Sequence, residues 1–402
     1  MLRRDMLISA LGAACLACGR GAVPRGQAGA RTAAAASING LAVELHRTLA
    51  TRPGNLVVSP ASLLIALAMI HAGARGATQA ALESKLKVED ADFSGLLRRW
   101  DVEDDGLVLK VSSRLFGDRG VEFSAEFLAQ LRERFAAPLE SLEMRGAPTA
   151  ARERVNGWVA ERTLGRVKDL LPPGAIDERT RLVLASAVYF KAKWAEEFEP
   201  RSTGPGTFYA PGGERQTPMM TRSGELRLGV GVKEKVRLLE LKYRGGAFAM
   251  LIILPDGRDR LAAVEATLDA ATLQRWIDTL ALQKVEIQVP KFRVEPQTLA
   301  VADALRAVGL GAVFDADADL TGMAPASERL VLAQAYHKTF LELDEQGTEA
   351  AAATAFKGEE RGMPPPKPRL EFIVDHPFLF LIRDTRDGSI LFMGRIADPT
   401  EA

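Results

Sequence analysis

The sequence is short of the residues that hold metals and disulfides. The chain has 402 residues but only two cysteines and four histidines. Both cysteines, Cys15 and Cys18, lie within the first eighteen residues, so the remainder of the chain cannot form a disulfide. The histidines are far apart, no HExxH motif is present, and no cysteine follows Cys18. No metal site and no cofactor are therefore predicted.

The sequence also lacks an excess of charge of either sign. Lys and Arg total 52, Asp and Glu total 52, and the formal net charge is zero. A chain without a net field has no general attraction for nucleic acid, so no nucleic-acid partner is predicted. A heparin site is not predicted either, because Arg98 and Arg99 stand among seven acidic residues between positions 89 and 105.

Motifs of enzyme active sites are missing as well. There is no GxSxG motif and no recognisable pair of nucleophile and base. The run Gly229-Val230-Gly231 lacks the third glycine of a dinucleotide-binding loop. The chain is therefore predicted not to be an enzyme.

The N-terminal apolar run is too short to cross a bilayer. It extends from Met6 to Cys18, and a spanning helix needs about 20 apolar residues. Because Arg3-Arg4 precedes it, residues 1–18 resemble a twin-arginine export signal, and the protein is predicted to be extracellular or periplasmic. Residues 19–36 are rich in Gly, Ala and Arg and predict a flexible tether. Two outcomes stay open: a lipid anchor at Cys18, or cleavage within 28–36 without a lipid.

Hydrophobic periodicity predicts one α+β domain over residues 37–402. Helices dominate the first third of the chain and strands the last two thirds, which argues against repeated βαβ units. Helices are predicted at 37–50, 60–72, 78–86, 123–135, 149–164, 259–281 in two pieces, and 298–308. Strands are predicted at 56–58, 107–116, 182–191, 226–232, 236–243, 247–254, 284–294, 329–344, 371–382 and 389–396.

The segment 345–371 is unusual for a loop. It has 27 residues, whereas structureless loops beyond about 12–15 residues are uncommon. Composition alone fits a surface loop or an alanine-rich helical turn. However, Thr348, Ala350, Ala352 and Thr354 would all lie on one face of an extended chain, and all four are small and uncharged. Such a face could enter between two strands without a clash.

The same segment resembles the hinge of inhibitory serpins. Residues 345–354 read EQGTEAAAAT, and further motifs follow the family order: NLVVSPAS at 55–62, YFKAKW at 189–194, HPF at 376–378 and FMGR at 392–395. The resemblance covers about residues 38–399. It implies a monomeric α+β serpin fold, with about eight to nine helices around three β-sheets and an exposed reactive-centre loop at 345–371.

The resemblance also implies the residues that act. Ser59, Ser62 and His337 match the shutter, where two strands part, and Trp194 and Thr203 match the breach, where the loop enters the sheet. Ser186 stands where the family usually has Asn, so a weaker or water-filled shutter is expected, because a hydroxyl has one donor and an amide two. The implied hinge residues are Glu345, Gly347, Thr348, Glu349, Ala350, Ala351, Ala352, Ala353 and Thr354.

Counting from the hinge locates the implied reactive bond. The family pattern places the scissile residue sixteen positions after the hinge Glu345, which is Arg361, followed by Gly362. Arginine is the residue that trypsin-like proteases recognise through an aspartate in their specificity pocket. Lys357 and Glu360 remain rival positions if the hinge is offset.

The resemblance therefore implies an irreversible suicide-substrate inhibitor of trypsin-like serine proteases. In that mechanism the cleaved loop enters the main sheet and traps the covalent acyl-enzyme. Two alternatives stay open: a noninhibitory serpin that acts as a binding or chaperone protein, and an inhibitor of cysteine proteases.

Overall fold

The fold is described from a computed structural model, which covers residues 32–88, 91–104, 106–294, 298–332, 335–348 and 370–401. The predicted export signal and all of the predicted tether up to residue 31 lie outside the described residues. So do Glu349, Ala350, Ala351, Ala352, Ala353, Thr354, Arg361 and Gly362.

Nine α-helices occur within the described ranges. They are α1 (Ala33–Leu49), α2 (Pro60–Gly73), α3 (Gly76–Leu86), α4 (Phe93–Trp100), α5 (Ala125–Phe135), α6 (Pro148–Arg162), α7 (Leu261–Thr267), α8 (Ala270–Asp278) and α9 (Ala302–Leu305).

Capping residues set where the first two helices begin. Thr32 Oγ1 accepts a hydrogen bond from the Ala35 N–H, so α1 starts at Ala33, within the last four residues of the predicted tether. The tether boundary at 36 was therefore too late. The predicted start of α2 is confirmed, because Ser59 is its N-cap and Pro60 its first residue.

The strands follow in chain order. They are β1 (Leu56–Val58), β2 (Val102–Asp104), β3 (Leu107–Asp118), β4 (Glu140–Leu142), β5 (Leu182–Lys193), β6 (Thr203–Ala210), β7 (Gly213–Gly231), β8 (Val236–Lys242), β9 (Phe248–Pro255), β10 (Ala281–Pro290), β11 (Phe292–Val294), β12 (Leu299–Ala300), β13 (Ala335–Thr339), β14 (Leu341–Leu343), β15 (Gly347–Thr348), β16 (Leu370–Ile373), β17 (Phe378–Asp384) and β18 (Ile390–Ile396).

These strands form two hydrogen-bonded networks of nine strands each. One, called here the hinge sheet, has the order β11-β14-β15-β5-β13-β12, with β3 pairing β5 on the far side and joined by β2 and β4. The other has the order β1-β18-β17-β9-β8-β7-β10-β16, and β6 also pairs with β7. Strand β7 is 19 residues long and pairs with β6 and β10 at one end and β8 at the other. Two of the expected three sheets are thus continuous through β7.

The hinge sheet is covered on both faces. Helix α2 packs against β3 and β5 on one face and against β18 of the second sheet, and all of its residues are buried. A separate apolar cluster fills the other face, where Trp158 and Val155 of α6 meet Phe116, Val183 and Ala187. Strand β5 is therefore apolar along almost its whole length, as its sequence indicated.

Three predicted elements differ from the observed ones in length or are divided in two. The predicted strand 329–344 is two strands, β13 and β14, separated at Phe340. The predicted strand 371–382 is likewise divided into β16 and β17, because the turn at His376-Pro377 lies between them. The predicted helix 298–308 is short, since β12 occupies its start and Arg306–Leu310 is a π-helical turn in which Gly309 has a φ of 85°.

Candidate functional site

In the hinge sheet, β5 changes its neighbour on one side at the level of Phe340. Before Phe340, β13 pairs directly with β5 as a parallel neighbour, from Ala335 opposite Leu184 to Thr339 opposite Val188. After Phe340, β15 lies between β14 and β5, with Thr348 opposite both Leu343 and Ala192. The first two residues of the hinge strand therefore already form a short antiparallel strand in the middle of the sheet.

A tight turn connects β14 to this inserted strand. Asp344 Oδ1 accepts hydrogen bonds from the backbone N–H groups of Gln346 (2.9 Å) and Gly347 (3.1 Å). The Asp344 N–H in turn donates to the Gly347 carbonyl oxygen at 2.9 Å. A Cβ atom on Gly347 would overlap the carbonyl oxygen of Ala192 and lie 2.7 Å from Lys193 Cα. Gly347 is thus required by the close approach of β5, which explains the glycine that the sequence places here.

Glu345 is clamped at the breach. Its carboxylate accepts hydrogen bonds from Thr203 Oγ1 and from Lys291 Nζ, both at 2.8 Å. Burial alone would raise the pKa of Glu345, but the bonds from Lys291 and Thr203 outweigh burial, and the pKa lies below its ordinary value. The carboxylate therefore stays charged and ties the start of the hinge to β6 and to the residue between β10 and β11.

Trp194 holds the backbone of the same turn. Its indole Nε1–H donates to the Asp344 carbonyl oxygen at 3.0 Å, and its backbone N–H donates to the Gln346 carbonyl oxygen at 2.7 Å. The indole stacks on Tyr243, with ring centroids 4.6 Å apart and 9° between the planes. The structure thus brings the predicted breach residues Trp194 and Thr203 together around residues 344–346.

Thr348 is already buried in the uncut chain. Its side chain is fully enclosed, and its Oγ1 lies 2.7 Å from the hydroxyl of Tyr243. Burial raises the pKa of Tyr243, so the phenol stays protonated and can donate to Thr348. Thr348, the first residue of the small face that the sequence predicted could enter a sheet, therefore lies between β14 and β5 before any cleavage.

The shutter residues meet where β5 and β13 pair with each other. The Ser59 N–H donates to His337 Nε2 at 3.0 Å, and the Ser62 hydroxyl donates to the Ser59 carbonyl oxygen at 3.1 Å. Ser113 of β3 has its Oγ 3.2 Å from Ser186 Oγ and 3.3 Å from the Ser62 carbonyl oxygen. All these side chains are buried, and the start of α2 is hydrogen-bonded directly to β13 and β3 and, through Ser113, to β5.

His337 is the titratable member of this group. Burial lowers its pKa to about 4. Because Nε2 accepts from the Ser59 N–H, the neutral ring carries its proton on Nδ1. Nδ1 is buried and has no hydrogen-bond partner among the residues that the structure describes. Ser186 stands opposite His337 in the register, and its short side chain bonds to Ser113 instead.

Three residues of the site were not predicted from the sequence. Ser113 faces Ser186 in the antiparallel pairing of β3 with β5, a partnership that only the register reveals. Lys291 and Tyr243 come from β-rich segments about 50 and 100 residues before the hinge and carry no local motif. For Lys291, one signal was available, since Glu345 is a charged residue next to an apolar strand and needs a cation.

Neither a metal site nor a membrane helix is found in the described part of the chain. No group of three or more His, Cys, Asp or Glu side chains is placed to hold a metal ion there. No helix within those ranges is both long and apolar enough to cross a bilayer.

Comparison with known proteins decides the family. The family model described as "Serpin (serine protease inhibitor)" matches residues 36–399. The chain belongs to the serpin family. Leukocyte elastase inhibitor of Bos taurus is 36% identical over 371 residues, which are 89% of this chain and 97% of that relative. Membership and this relative support a role in protease inhibition rather than catalysis.

Solved serpin structures share the fold. Uncleaved ovalbumin matches with a TM-score of 0.81 at 25% identity, over 91% of this chain and all of that one. Thyroxine-binding globulin in complex with thyroxine matches with a TM-score of 0.80 at 27% identity, over 91% of this chain and 99% of that one. The predicted α+β serpin fold is therefore confirmed.

The buried His337 predicts a loss of stability in mild acid. Between pH 6.5 and about 4 the histidine is protonated in the unfolded chain but not in the folded one. Stability therefore falls as the pH falls through this window, by at most about 1.4 kcal/mol per pH unit from this group. In a His337→Gln variant, the amide oxygen can still accept from the Ser59 N–H, and this part of the pH dependence is expected to disappear.

The measurement is the thermal midpoint at pH 7 and at pH 5. We expect the drop between the two to be smaller in His337→Gln than in the parent. His71→Gln, which alters a histidine at the other end of α2, is expected to retain the contribution of His337. Equal drops in the parent and in His337→Gln would show that the shutter histidine does not titrate in this way.

Proposed function

We propose that this serpin is an irreversible suicide-substrate inhibitor of trypsin-like serine proteases, with Arg361–Gly362 as the reactive bond. The observation that carries the proposal is the position of Gly347 and Thr348 as a started strand between β14 and β5. Among the strands that the structure describes, only β13 occupies the place of its continuation, and β13 is joined to β5 by a single ladder.

The pairing of β15 with β5 can be extended along the sequence to show which residues of β5 the hinge residues would meet. Thr348 lies opposite Ala192 in an antiparallel ladder, so Ala350 would lie opposite Phe190, Ala352 opposite Val188 and Thr354 opposite Ser186. These alternate positions of β5 face the buried core, together with Leu184. The face that would enter the sheet therefore consists of small side chains directed at the buried core.

The same register gives Thr354 a chemical role. Opposite Ser186, it would stand in the shutter beside His337, whose Nδ1–H has no acceptor among the described residues. A threonine hydroxyl can accept that hydrogen bond and donate another. Insertion would thus satisfy a buried donor whose unpaired state costs about 1–3 kcal/mol.

Insertion is favourable because the single hydrogen-bonded pairing of β13 with β5 is replaced by two pairings, one on each side of the new strand. Separating β13 from β5 breaks the pairing from Ala335 to Thr339, and a new central strand then bonds to both neighbours. A gain on the order of ten backbone hydrogen bonds at about 1 kcal/mol each corresponds to roughly 10 kcal/mol. This free energy is available only when the loop is cut, because the intact loop is held at both ends by β15 and β16.

The protease supplies the cut. Its serine attacks the carbonyl carbon of Arg361, the amine of Gly362 leaves, and Arg361 remains attached as an acyl ester. If insertion then outruns hydrolysis of the ester, the protease is carried along with the loop and distorted. The guanidinium of Arg361 is the recognition element, because it matches the aspartate of a trypsin-like specificity pocket.

The proposed setting is outside the cytoplasm. We infer export from residues 1–18. The signal would then be processed either by lipid attachment at Cys18 or by cleavage within 28–36 without a lipid. A fold without cysteine after Cys18 is independent of disulfide formation, so it needs no oxidising compartment for stability.

Replacing the proposed bait residue tests the specificity. Arg361→Ala is expected to slow inhibition of trypsin at least about a hundredfold, because a charge pair in the specificity pocket is lost. Lys357→Ala is the matched control and should inhibit at the parental rate. Mass spectrometry of the parent's reaction with trypsin should find a released peptide that begins at Gly362.

A peptide that begins at Gly358 would move the reactive bond to Lys357 and contradict the assignment. Cleavage without any covalent complex would instead favour a noninhibitory binding protein. A parallel incubation with a cysteine protease of the papain type tests the remaining class of target.

Replacing Thr348 tests the insertion step separately from recognition. In Thr348→Arg the guanidinium cannot stay in the closed site beside Tyr243, so the started strand is expelled and its re-entry opposed. Arg361 lies thirteen residues further along and is unaffected. We expect the variant to be cut by trypsin at a similar initial rate, while the covalent complex band on a denaturing gel is replaced by cleaved inhibitor.

Thr348→Ser is the matched control, because it keeps a small side chain and a hydroxyl for Tyr243. It is expected to trap trypsin at nearly one-to-one stoichiometry. If Thr348→Arg traps trypsin equally well, insertion from this hinge is not the mechanism.

A further inference from the structure

A cavity distant from the hinge has the features of a ligand site. It has a volume of about 700 Å³ and lies where the turn after α1, the end of β6, the turn after β9 and the start of α7 come together. A volume of this size is in the range of small-molecule sites in proteins. Its apolar lining comes from Pro53, Tyr209, Pro211, Leu261, Ala262 and Pro377.

The floor of the cavity is fixed by Arg395. Its guanidinium donates to the carbonyl oxygens of Ala50, Arg52 and Gly54, and it lies 3.2 Å from the carboxylate of Glu265. Glu265 is also bonded to His46 Nε2 at 2.9 Å. Because Arg395 bonds to three carbonyl oxygens of the turn after α1 and is paired with Glu265, the turn is held in one shape and the cavity is preformed.

One wall of the cavity is a cation placed on an aromatic ring. The Arg258 guanidinium carbon lies 3.1 Å from the centre of the Tyr209 ring. The Tyr209 N–H donates to the Asp375 carbonyl oxygen at 2.7 Å, which fixes the ring at the end of β6. This wall offers a flat surface on which a planar apolar group can stack.

The residues that line the cavity carry one more cation than anion, since three arginines stand against the two carboxylates of Asp259 and Glu265. Arg395 is balanced by Glu265, and Arg258 stands close to two carboxylates, Asp259 beside it in the chain and Asp375, whose pKa it helps to lower. Arg52 lines the cavity, is exposed, and makes no ion pair among the described residues. A ligand with one negative charge would therefore find a free guanidinium at the rim.

We propose that this cavity binds a small planar apolar anion, an aromatic carboxylate, with its ring against Leu261 and the wall that Arg258 and Tyr209 form together, and its carboxylate at Arg52. The site is independent of the proposed inhibitory mechanism, since none of its lining residues belongs to the hinge, the breach or the shutter. Loss of protease inhibition would leave it untouched, and loss of ligand binding would leave inhibition untouched.

The test uses 2-naphthoate as probe and isothermal titration calorimetry as readout. We expect one molecule to bind per chain, and the uncharged 2-naphthamide to bind about tenfold more weakly, the loss of one charge-assisted hydrogen bond. Arg52→Ala should reduce affinity for naphthoate to the same extent and leave affinity for naphthamide unchanged. Arg179→Ala, which removes an exposed arginine far from the cavity, is the control and should bind both probes normally.

A steric pair of variants locates the site. Ala262→Phe places a ring in the cavity, whereas Ala263→Phe places the same ring on the adjacent exposed position of α7, outside the lining. We expect Ala262→Phe to abolish naphthoate binding and Ala263→Phe to preserve it. Equal affinities in the two variants, or equal affinity of naphthoate and naphthamide for the parent, would overturn the proposal. A crystal structure that shows residues of this chain filling the cavity would overturn it as well.

Discussion

The rest of the structure depends on which strand pairs with one edge of β5. Residues 184–188 of β5 pair with β13, whereas Ala192 and Lys193 pair with Thr348 and Gly347. The same strand cannot pair with both neighbours at one position, so extending the hinge strand means displacing β13. The hinge sheet of the uncut chain could therefore gain a strand, but the loop cannot enter it while both of its ends are held by β15 and β16.

Buried polar groups keep this arrangement in place until the loop is cut. At the breach, Glu345 is clamped by Lys291 and Thr203, and at the shutter, His337 accepts from the N-cap of α2. These contacts satisfy a partly buried carboxylate at the breach and a buried N–H at the shutter, so breaking either contact has an energetic cost. The His337 Nδ1–H is the exception, and the proposed insertion would supply its acceptor through Thr354.

Much of this could be predicted from the sequence, because short motifs carry the local geometry. The helix that starts at residue 60 was predicted, the sequence 345–354 indicated the hinge, and the small residues from Thr348 predicted a face able to enter a sheet. What failed depends on long-range register. The break at Phe340 occurs where the partner of β5 changes from β13 to β15. Thr348 is buried in the uncut chain for the same reason. Lys291, Tyr243 and Ser113 join the site through strands distant in sequence, so no spacing could have indicated them.

The most direct test compares the thermal midpoint of the intact protein with that of the protein cut once between residues 354 and 361 by a protease that it does not inhibit. If the cut loop becomes a central strand of the hinge sheet, a gain of roughly 10 kcal/mol in a domain of this size should raise the midpoint by about 10–20 °C. An unchanged or lower midpoint after complete cleavage would contradict insertion, and with it the account of how this serpin inhibits.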